Sequence, residues 1–329
     1  MILAPLLSLL ACSKGPPTAD TDPPTPVDTD TDVTETAIVH TGDTAEPPTP
    51  VCDALLPVPV PFQSHNGFGG SEDFDIDMLG RHVSINGSGN LVARDPITGA
   101  TQLLSPNVTG SAACTRMLPS GNFVVCDVAG NSLVHVDITT GAKNTLVTGM
   151  AYPNGAEVDP DGFVYVAEQN AGRVRRVDST TGEFTTIAEN LNNPNGVIFS
   201  PDYQILYVGS FGGGVVYAVD RTGVDTFDPP RVLVQDPGNN GGFDGINVDE
   251  CGNVYITEFV AGKVYRITPD GQIVNLVADL PSSWIPNLRW GNGVNGWEET
   301  TLYVSDRSQG RLFALEMGLR GKPGFLTPP

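Results

Sequence analysis

The chain is poor in basic residues and in histidine. Of its 329 residues, 17 are Lys or Arg and four are His, against 38 Asp or Glu, which gives a formal net charge of −21 at pH 7. Residues 13–51 carry 7 of these negative charges, so the remainder of the chain keeps a large acid excess. This shortage of positive charge argues against nucleic acid as a partner. It is compatible with a site for a cation.

Cysteine is scarce, and no spacing of Cys and His resembles a zinc site. Apart from Cys12, four cysteines remain, and four allow three pairings. Cys114 and Cys126 lie six residues on either side of Ser120 in a predicted hairpin, where opposed residues can form a disulfide. We predict that bond, which leaves Cys52 for Cys251. The alternative, four buried free thiols, is less common in an oxidising compartment.

The only N-terminal apolar run is residues 1–12, which is too short to span a bilayer as a mature helix. Its end, Leu9-Leu10-Ala11-Cys12, resembles a bacterial lipobox, in which the Cys is lipidated and becomes the mature N-terminus. No Lys or Arg precedes the run, so a signal cleaved without lipidation or a start site assigned too late are alternatives. We predict a lipoprotein-type signal peptide at 1–12. The expected location is the cell envelope, lipid-anchored at the outer membrane or in the periplasm, or outside the cell.

Residues 13–51 consist almost entirely of Thr, Asp, Pro and small residues. Such a segment cannot bury enough apolar surface to offset the entropy lost on ordering. Proline and like charges keep it extended. We therefore predict a disordered tether at 13–51, followed by one folded domain at 52–329.

A unit of short period-2 segments, punctuated by Gly, Asp and Asn, recurs six times in this domain. Period-2 runs of this kind indicate antiparallel strands and hairpins. The residues that close the first four copies are spaced 42, 41 and 42 apart: Asp95, Asp137, Asp178 and Asp220. A repeat of this length with three or four strands is typical of a β-propeller. We predict an all-β, six-bladed β-propeller, closed by an N-terminal strand at 55–62 in the last blade, where its prolines suit an edge strand.

One position recurs eight residues before the first hairpin turn of each copy. It is occupied by Glu72, Ala113, Asn154, Asn195 and Asp244, with Asn287 in the irregular sixth copy. Because propeller inner strands run along the central axis, these residues are expected to converge at one mouth of the tunnel. Carboxylate and amide oxygens without thiol or imidazole favour a hard cation. The alternative is that Asn-Gly and Asp-Gly are ordinary turn dipeptides.

Two further groups lie near the predicted mouth. The ends of the second strands carry Asp127, Glu168, Ser210, Glu258 and Asp306. These side chains either supply a general base or bond backbone amides of the next hairpin. Three tryptophans fall in the last copy, at 284, 290 and 297. Trp284 precedes Asn287 and can line a pocket, although such residues are more often packing residues.

Two stretches, NPNGVIFSPDYQILYVGS and FDGINVDECGNVYITEFVAGKVYRITPDG, resemble the SMP-30/gluconolactonase/luciferin-regenerating family of six-bladed propellers. That family is related to paraoxonases and strictosidine synthase, and the likeness covers roughly residues 60–316. It implies one divalent cation held by Glu72, Asn195 and Asp244, with Asn154 contacting metal or substrate. The chain departs from the family in having Ala113 in copy two, and it has no counterpart of the paraoxonase histidine pair.

Two functions follow as hypotheses, because the fold alone does not choose between them. The first is a metal-dependent hydrolase of a lactone or related cyclic ester, with Asp244 catalytic, Asn154, Asn287 and Trp284 binding substrate, and Glu72, Asn154, Asn195 and Asp244 binding metal. The expected cofactor is Ca²⁺, with Mn²⁺, Mg²⁺ and Zn²⁺ as alternatives. The second is a non-catalytic, metal-stabilised binding propeller of the cell envelope. In either case we expect a monomer with a small-molecule ligand that meets the membrane only through its lipid anchor.

Overall fold

The computed structural model of the protein describes residues 52, 58–235, 242–272 and 274–324. The predicted signal peptide at 1–12, with Cys12, and the predicted tether at 13–51 lie outside these residues. Within them, no helix is long and apolar enough to cross a membrane.

The described residues form 24 strands in six four-stranded antiparallel sheets. The first strand is β1 (Phe62–Asn66). Blade 1 contains β2 (Phe74–Ile76), β3 (His82–Ile85), β4 (Leu91–Arg94) and β5 (Thr101–Ser105). Blade 2 contains β6 (Ala112–Met117), β7 (Phe123–Asp127), β8 (Ser132–Val136) and β9 (Lys143–Val147). Blade 3 contains β10 (Pro153–Val158), β11 (Phe163–Glu168), a 3-10 turn (Gln169–Ala171), β12 (Arg173–Asp178) and β13 (Phe184–Ala188).

Three more blades complete the ring. Blade 4 contains β14 (Pro194–Phe199), β15 (Ile205–Ser210), β16 (Val215–Asp220) and β17 (Arg231–Gln235). Blade 5 contains β18 (Phe243–Val248), β19 (Val254–Glu258), β20 (Lys263–Ile267) and β21 (Val274–Asp279). Blade 6 contains β22 (Leu288–Trp290), β23 (Thr301–Asp306) and β24 (Arg311–Glu316), with β1 as its fourth strand. The predicted six-bladed propeller is confirmed.

The N-terminal strand closes the ring as predicted, but its predicted bounds were wrong. β1 pairs with β24 from Phe62↔Leu315 to Asn66↔Arg311, so the strand begins where the segment 55–62 was expected to end. Pro59 and Pro61 lack the N–H groups that a ladder needs, and pairing starts only after them. Ahead of β1, the Val60 N–H donates to Val277 O of β21 at 2.8 Å, which ties this segment to blade 5. Residues 55–57 lie outside the described residues.

Both cysteine pairs are disulfide-bonded in the structure. Cys52 joins Cys251 of the β18–β19 turn with 5.6 Å between the Cα atoms, so the entry of the chain is held against blade 5. Cys114 joins Cys126 across β6 and β7 with 4.8 Å between the Cα atoms. The second bond continues the register of the pair Thr115↔Val125.

The C-terminal tail crosses the far ends of the inner strands. The Lys322 N–H donates to Val248 O at 3.0 Å, and the Glu250 N–H donates to Arg320 O at 2.9 Å. The Lys322 ammonium group forms an ion pair with Glu157 of β10. The tail therefore lies at the end of the tunnel opposite the residues predicted to form the site.

The Asn-Gly and Asp-Gly dipeptides are β-bulges inside inner strands. In β10 the pairing jumps from Pro153↔Glu168 to Ala156↔Val166, so that Asn154 and Gly155 together oppose one residue. The same shift occurs in β6, β14 and β18. The alternative that these dipeptides are separate turns is therefore wrong. A bulge bends its strand and redirects the local side chains.

Each bulge glycine lies against the backbone of the next blade. A Cβ atom on Gly155 would lie 2.2 Å from Asn195 O, and one on Gly196 would lie 2.3 Å from Asp244 O. A Cβ on Gly245 would lie 2.5 Å from Pro286 O. No side chain fits at such distances, so neighbouring inner strands approach backbone to backbone. In β6 the corresponding residue is Cys114, whose sulfur is bonded to Cys126.

We predict that Gly155→Ala lowers the free energy of unfolding by about 1–3 kcal/mol, because the added methyl overpacks this contact. Gly87→Ala is the control, since an added Cβ at Gly87 meets nothing within 4 Å. Urea denaturation of both variants measures the difference. Equal stability of the two variants would show that the inner strands do not depend on this close approach.

Candidate functional site

The six aligned positions occupy one level of the propeller and are called the mouth ring here: Glu72, Ala113, Asn154, Asn195, Asp244 and Asn287. Four of them are the second residue of an inner strand, at the start of its bulge. Asn287 directly precedes β22, and Glu72 lies two residues before β2. Asn154, Asn195, Asp244 and Asn287 are all buried. The bulges therefore place polar side chains from separate blades at one end of the tunnel.

Asp244 is the most strongly perturbed carboxyl group of this ring. Burial raises its pKa well above the usual range, and the nearby negative charges of Glu72 and Asp73 raise it further. Arg307 and a hydrogen bond with Asn195 act in the opposite direction without overcoming the rise. Burial also raises the pKa of Glu72, against the attraction of Arg307. If both carboxyl groups ionise, the mouth holds more negative charge than Arg307 neutralises.

Arg307 is a functional candidate that the sequence argument missed. It follows β23 directly, is about half exposed, and forms an ion pair with Glu72 of blade 1. Its guanidinium carbon lies 5.9 Å from the centre of the Trp284 ring. Its position could have indicated this role. Arg307 comes directly after Asp306, and it is the basic residue among those that directly follow a second strand.

A second charged layer lies beneath the mouth ring. Asp73 is buried, accepts the Thr115 N–H at 2.9 Å and forms an ion pair with Arg116. Arg289 of β22 approaches the same carboxylate at 3.4 Å. Because Asp73, Arg116 and Arg289 come from three blades, their contacts tie the inner strands together around the tunnel.

The predicted substrate-binding residues are placed differently from one another. The Asn154 amide donates to Gln169 Oε1 at 3.1 Å, which fixes its orientation. Asn287 Oδ1 accepts the Leu288 N–H at 2.9 Å and a contact from Arg289 Nη1 at 3.3 Å, so its oxygen is engaged within its own strand. Trp284 is 48% exposed at the mouth, whereas Trp290 and Trp297 are buried packing residues.

Side chains at the ends of the second strands form hydrogen bonds with neighbouring loops. Asp127 accepts from Thr109, Glu168 accepts the Ala151 N–H at 2.7 Å, Ser210 donates to Asn192 O, and Asp306 accepts from Ser282 at 2.8 Å. Each partner precedes the inner strand of the same blade. Glu168 also forms ion pairs with Arg173 at 2.9 Å and Arg175 at 2.5 Å. Asp127 and Asp306 also accept backbone N–H groups of the next hairpin, from Gly130 and Ser308, each at 3.0 Å, which favours the structural alternative for these two residues.

The donor types of the mouth ring fit a hard cation. Among the described residues, no three His, Cys, Asp or Glu side chains come together as a metal-ligand cluster. The ring offers two carboxylates, Glu72 and Asp244, and the amide oxygens of Asn154 and Asn195. Such oxygen donors suit Ca²⁺, whereas Zn²⁺ is usually held by nitrogen or sulfur. A divalent cation would also neutralise the buried excess of negative charge.

The family model described as SMP-30/Gluconolactonase/LRE-like region matches residues 85–308. The chain belongs to this family. Glu72 precedes the matched region, so its place in the site depends on the structure. No curated protein sequence matches the chain significantly.

Solved structures share the fold at low sequence identity. A gluconolactonase from Xanthomonas campestris is 18% identical, with a TM-score of 0.64 over 79% of this chain and 89% of that one. The calcium-binding protein regucalcin from Agrobacterium tumefaciens is 17% identical, with a TM-score of 0.62 over 79% and 93%. An auxiliary nutrient binding protein from Bacteroides thetaiotaomicron is 14% identical, with a TM-score of 0.62 over 78% and 70%. At these identities the likeness shows the fold alone.

We predict that the purified protein binds one Ca²⁺ and that Asp244→Asn weakens binding by about tenfold or more, since affinity depends on the charge of the ligands. Bound Ca²⁺ at a hundredfold excess over Kd should stabilise the fold by about 2.7 kcal/mol. Titration calorimetry and thermal melting measure both effects. The control is Asp161→Asn in the exposed β10–β11 turn. Absence of calorimetric binding by the parent would contradict the metal assignment.

Proposed function

We propose that the protein is a divalent-cation-dependent hydrolase that opens a lactone or related cyclic ester at the mouth ring. The observation that carries the proposal is the buried Asp244 carboxyl, which hydrogen-bonds with Asn195 and lies near the second carboxylate of Glu72. Membership of the gluconolactonase-type family supports the same reaction class.

Asp244 has the chemistry of a general base. Its carboxyl group is held at the mouth beside Asn195, where it can take a proton from a bound water, and proton transfer by a positioned group typically contributes 10²–10⁴-fold to rate. In the proposed reaction, Asp244 takes a proton from water while the water oxygen bonds to the lactone carbonyl carbon. The ring C–O bond then breaks, and the proton passes to the leaving oxygen to give a hydroxy acid.

The remaining residues orient the reacting groups and balance their charge. The hydrogen bond between Asn195 and Asp244 restrains the carboxyl group. Glu72, Asn195 and Asp244, with Asn154 beside them, would hold the cation. When bound, a divalent cation polarises a carbonyl and stabilises the developing oxyanion. Arg307 pairs with Glu72 and lies on the solvent side of the ring, where it can attract an anionic product or substrate group.

One observation favours a non-catalytic binding propeller as the second candidate. Arg307 already neutralises Glu72, so the mouth can remain folded without a metal ion and can bind a ligand directly. The occurrence of the fold in a nutrient binding protein is consistent with such a role.

A panel of lactones with and without EDTA and added Ca²⁺ or Mn²⁺ tests the proposal. We expect ring opening by the parent, loss of activity in EDTA, and recovery on adding the cation. Asp244→Asn should lower kcat by about 10²–10⁴-fold even at saturating metal, because it removes the base, and Asp161→Asn should not. Calcium binding without opening of any lactone would instead support the binding propeller.

A further inference from the structure

A second ring of side chains surrounds the mouth ring. In blades 2 to 6, the residue that directly follows the second strand donates its N–H to the loop before the inner strand of the same blade. These rim-ring residues are Val128, Gln169, Phe211, Phe259 and Arg307, and their acceptors are the carbonyls of Ser111, Tyr152, Asn193, Gly242 and Trp284 at 2.8–3.0 Å. The repeated hydrogen bond sets the five residues at one height beside the mouth.

The polar side chains of the rim ring contact residues of the mouth ring. Gln169 accepts the amide of Asn154, and Arg307 pairs with Glu72. Because the backbone hydrogen bond is the same in blades 4 and 5, Phe211 lies beside the start of β14 and Phe259 beside the start of β18. Two of the candidate metal ligands, Asn195 and Asp244, therefore have apolar neighbours in the rim ring.

Phe211, Phe259 and Trp284 form a continuous aromatic wall across blades 4, 5 and 6. The Phe211 and Phe259 ring centres are 6.1 Å apart, and those of Phe259 and Trp284 are 6.2 Å apart with planes only 10° from parallel. The Phe211 ring packs against the backbone of Gly242, two residues before Asp244. Trp284, which carries the exposed end of the wall, also lies under Arg307.

We propose that this aromatic wall selects the substrate, so that the protein prefers lactones with an alkyl or aryl substituent over polyhydroxylated sugar lactones. The inference rests on the proposed function and narrows its substrate class. Burying each methylene against the wall raises affinity about fourfold. Sugar hydroxyls placed there would give up water without gaining hydrogen bonds, which opposes their binding. Arg307 and Gln169, the polar members of the rim ring, lie on either side of the wall.

Three lactones with the same six-membered ring test the preference: δ-decalactone, δ-valerolactone and glucono-δ-lactone. We expect kcat/KM to be at least about tenfold higher for δ-decalactone than for the other two, mainly through KM. Phe259→Ala and Trp284→Ala should each reduce this advantage, and Phe259→Leu should retain much of it. Phe184→Ala, at an exposed aromatic on the outer strand β13, is the matched control. Equal kcat/KM across the three lactones, or an advantage unchanged in Phe259→Ala, would overturn the inference and leave the lactonase intact.

A binding measurement gives a readout independent of turnover. Trp284 is 48% exposed, whereas Trp290 is 8% and Trp297 3% exposed, so iodide quenching of fluorescence reports mainly on Trp284. The lactam analogue of δ-decalactone, which resists hydrolysis, should protect Trp284 from iodide, and gluconolactam should not. If no lactone is opened, the proposed function fails. Protection by the alkyl lactam would then still support the wall, and lack of protection would overturn it.

Discussion

Backbone-to-backbone approach of the inner strands is the constraint on which this propeller depends. Gly155, Gly196 and Gly245 leave no room for a Cβ, because the carbonyl of the next inner strand, or of the loop before it, occupies that space. The bulge that accommodates each glycine also turns the preceding side chain toward the tunnel mouth. Each dipeptide therefore has two effects. Its glycine lets neighbouring inner strands pack closely, and its Asn or Asp places a polar side chain at the mouth.

Charge distribution then determines what the mouth can do. Glu72 and Asp244 share a partly buried space, and burial is the main cause of the raised pKa of both. Among the described residues, the cation at this level is Arg307, which forms an ion pair with Glu72. Deeper in the tunnel, Asp73 is already paired with Arg116. The unbalanced charge is therefore concentrated at Asp244, where a cation or a transferred proton would have its largest effect.

Much of the fold and of the mouth ring could be predicted because both depend on a repeated register. A residue at a fixed distance from the first hairpin turn lies at the same level in every blade, which placed Asn154, Asn195 and Asp244 together. Contacts that cross between blades have no such regularity. The Arg307–Glu72 ion pair joins residues far apart in sequence, and nothing in the repeat indicates it. The start of β1 was missed because prolines were treated as tolerated in an edge strand, whereas pairing begins only after Pro61.

A crystal structure of the protein grown with Mn²⁺, with anomalous scattering recorded at the manganese edge, would test directly whether the mouth ring binds a cation. We expect one anomalous peak at the mouth ring, within about 2.0–2.6 Å of oxygen atoms of Glu72, Asn195 and Asp244. Absence of an anomalous peak near Asp244 would contradict the metal site.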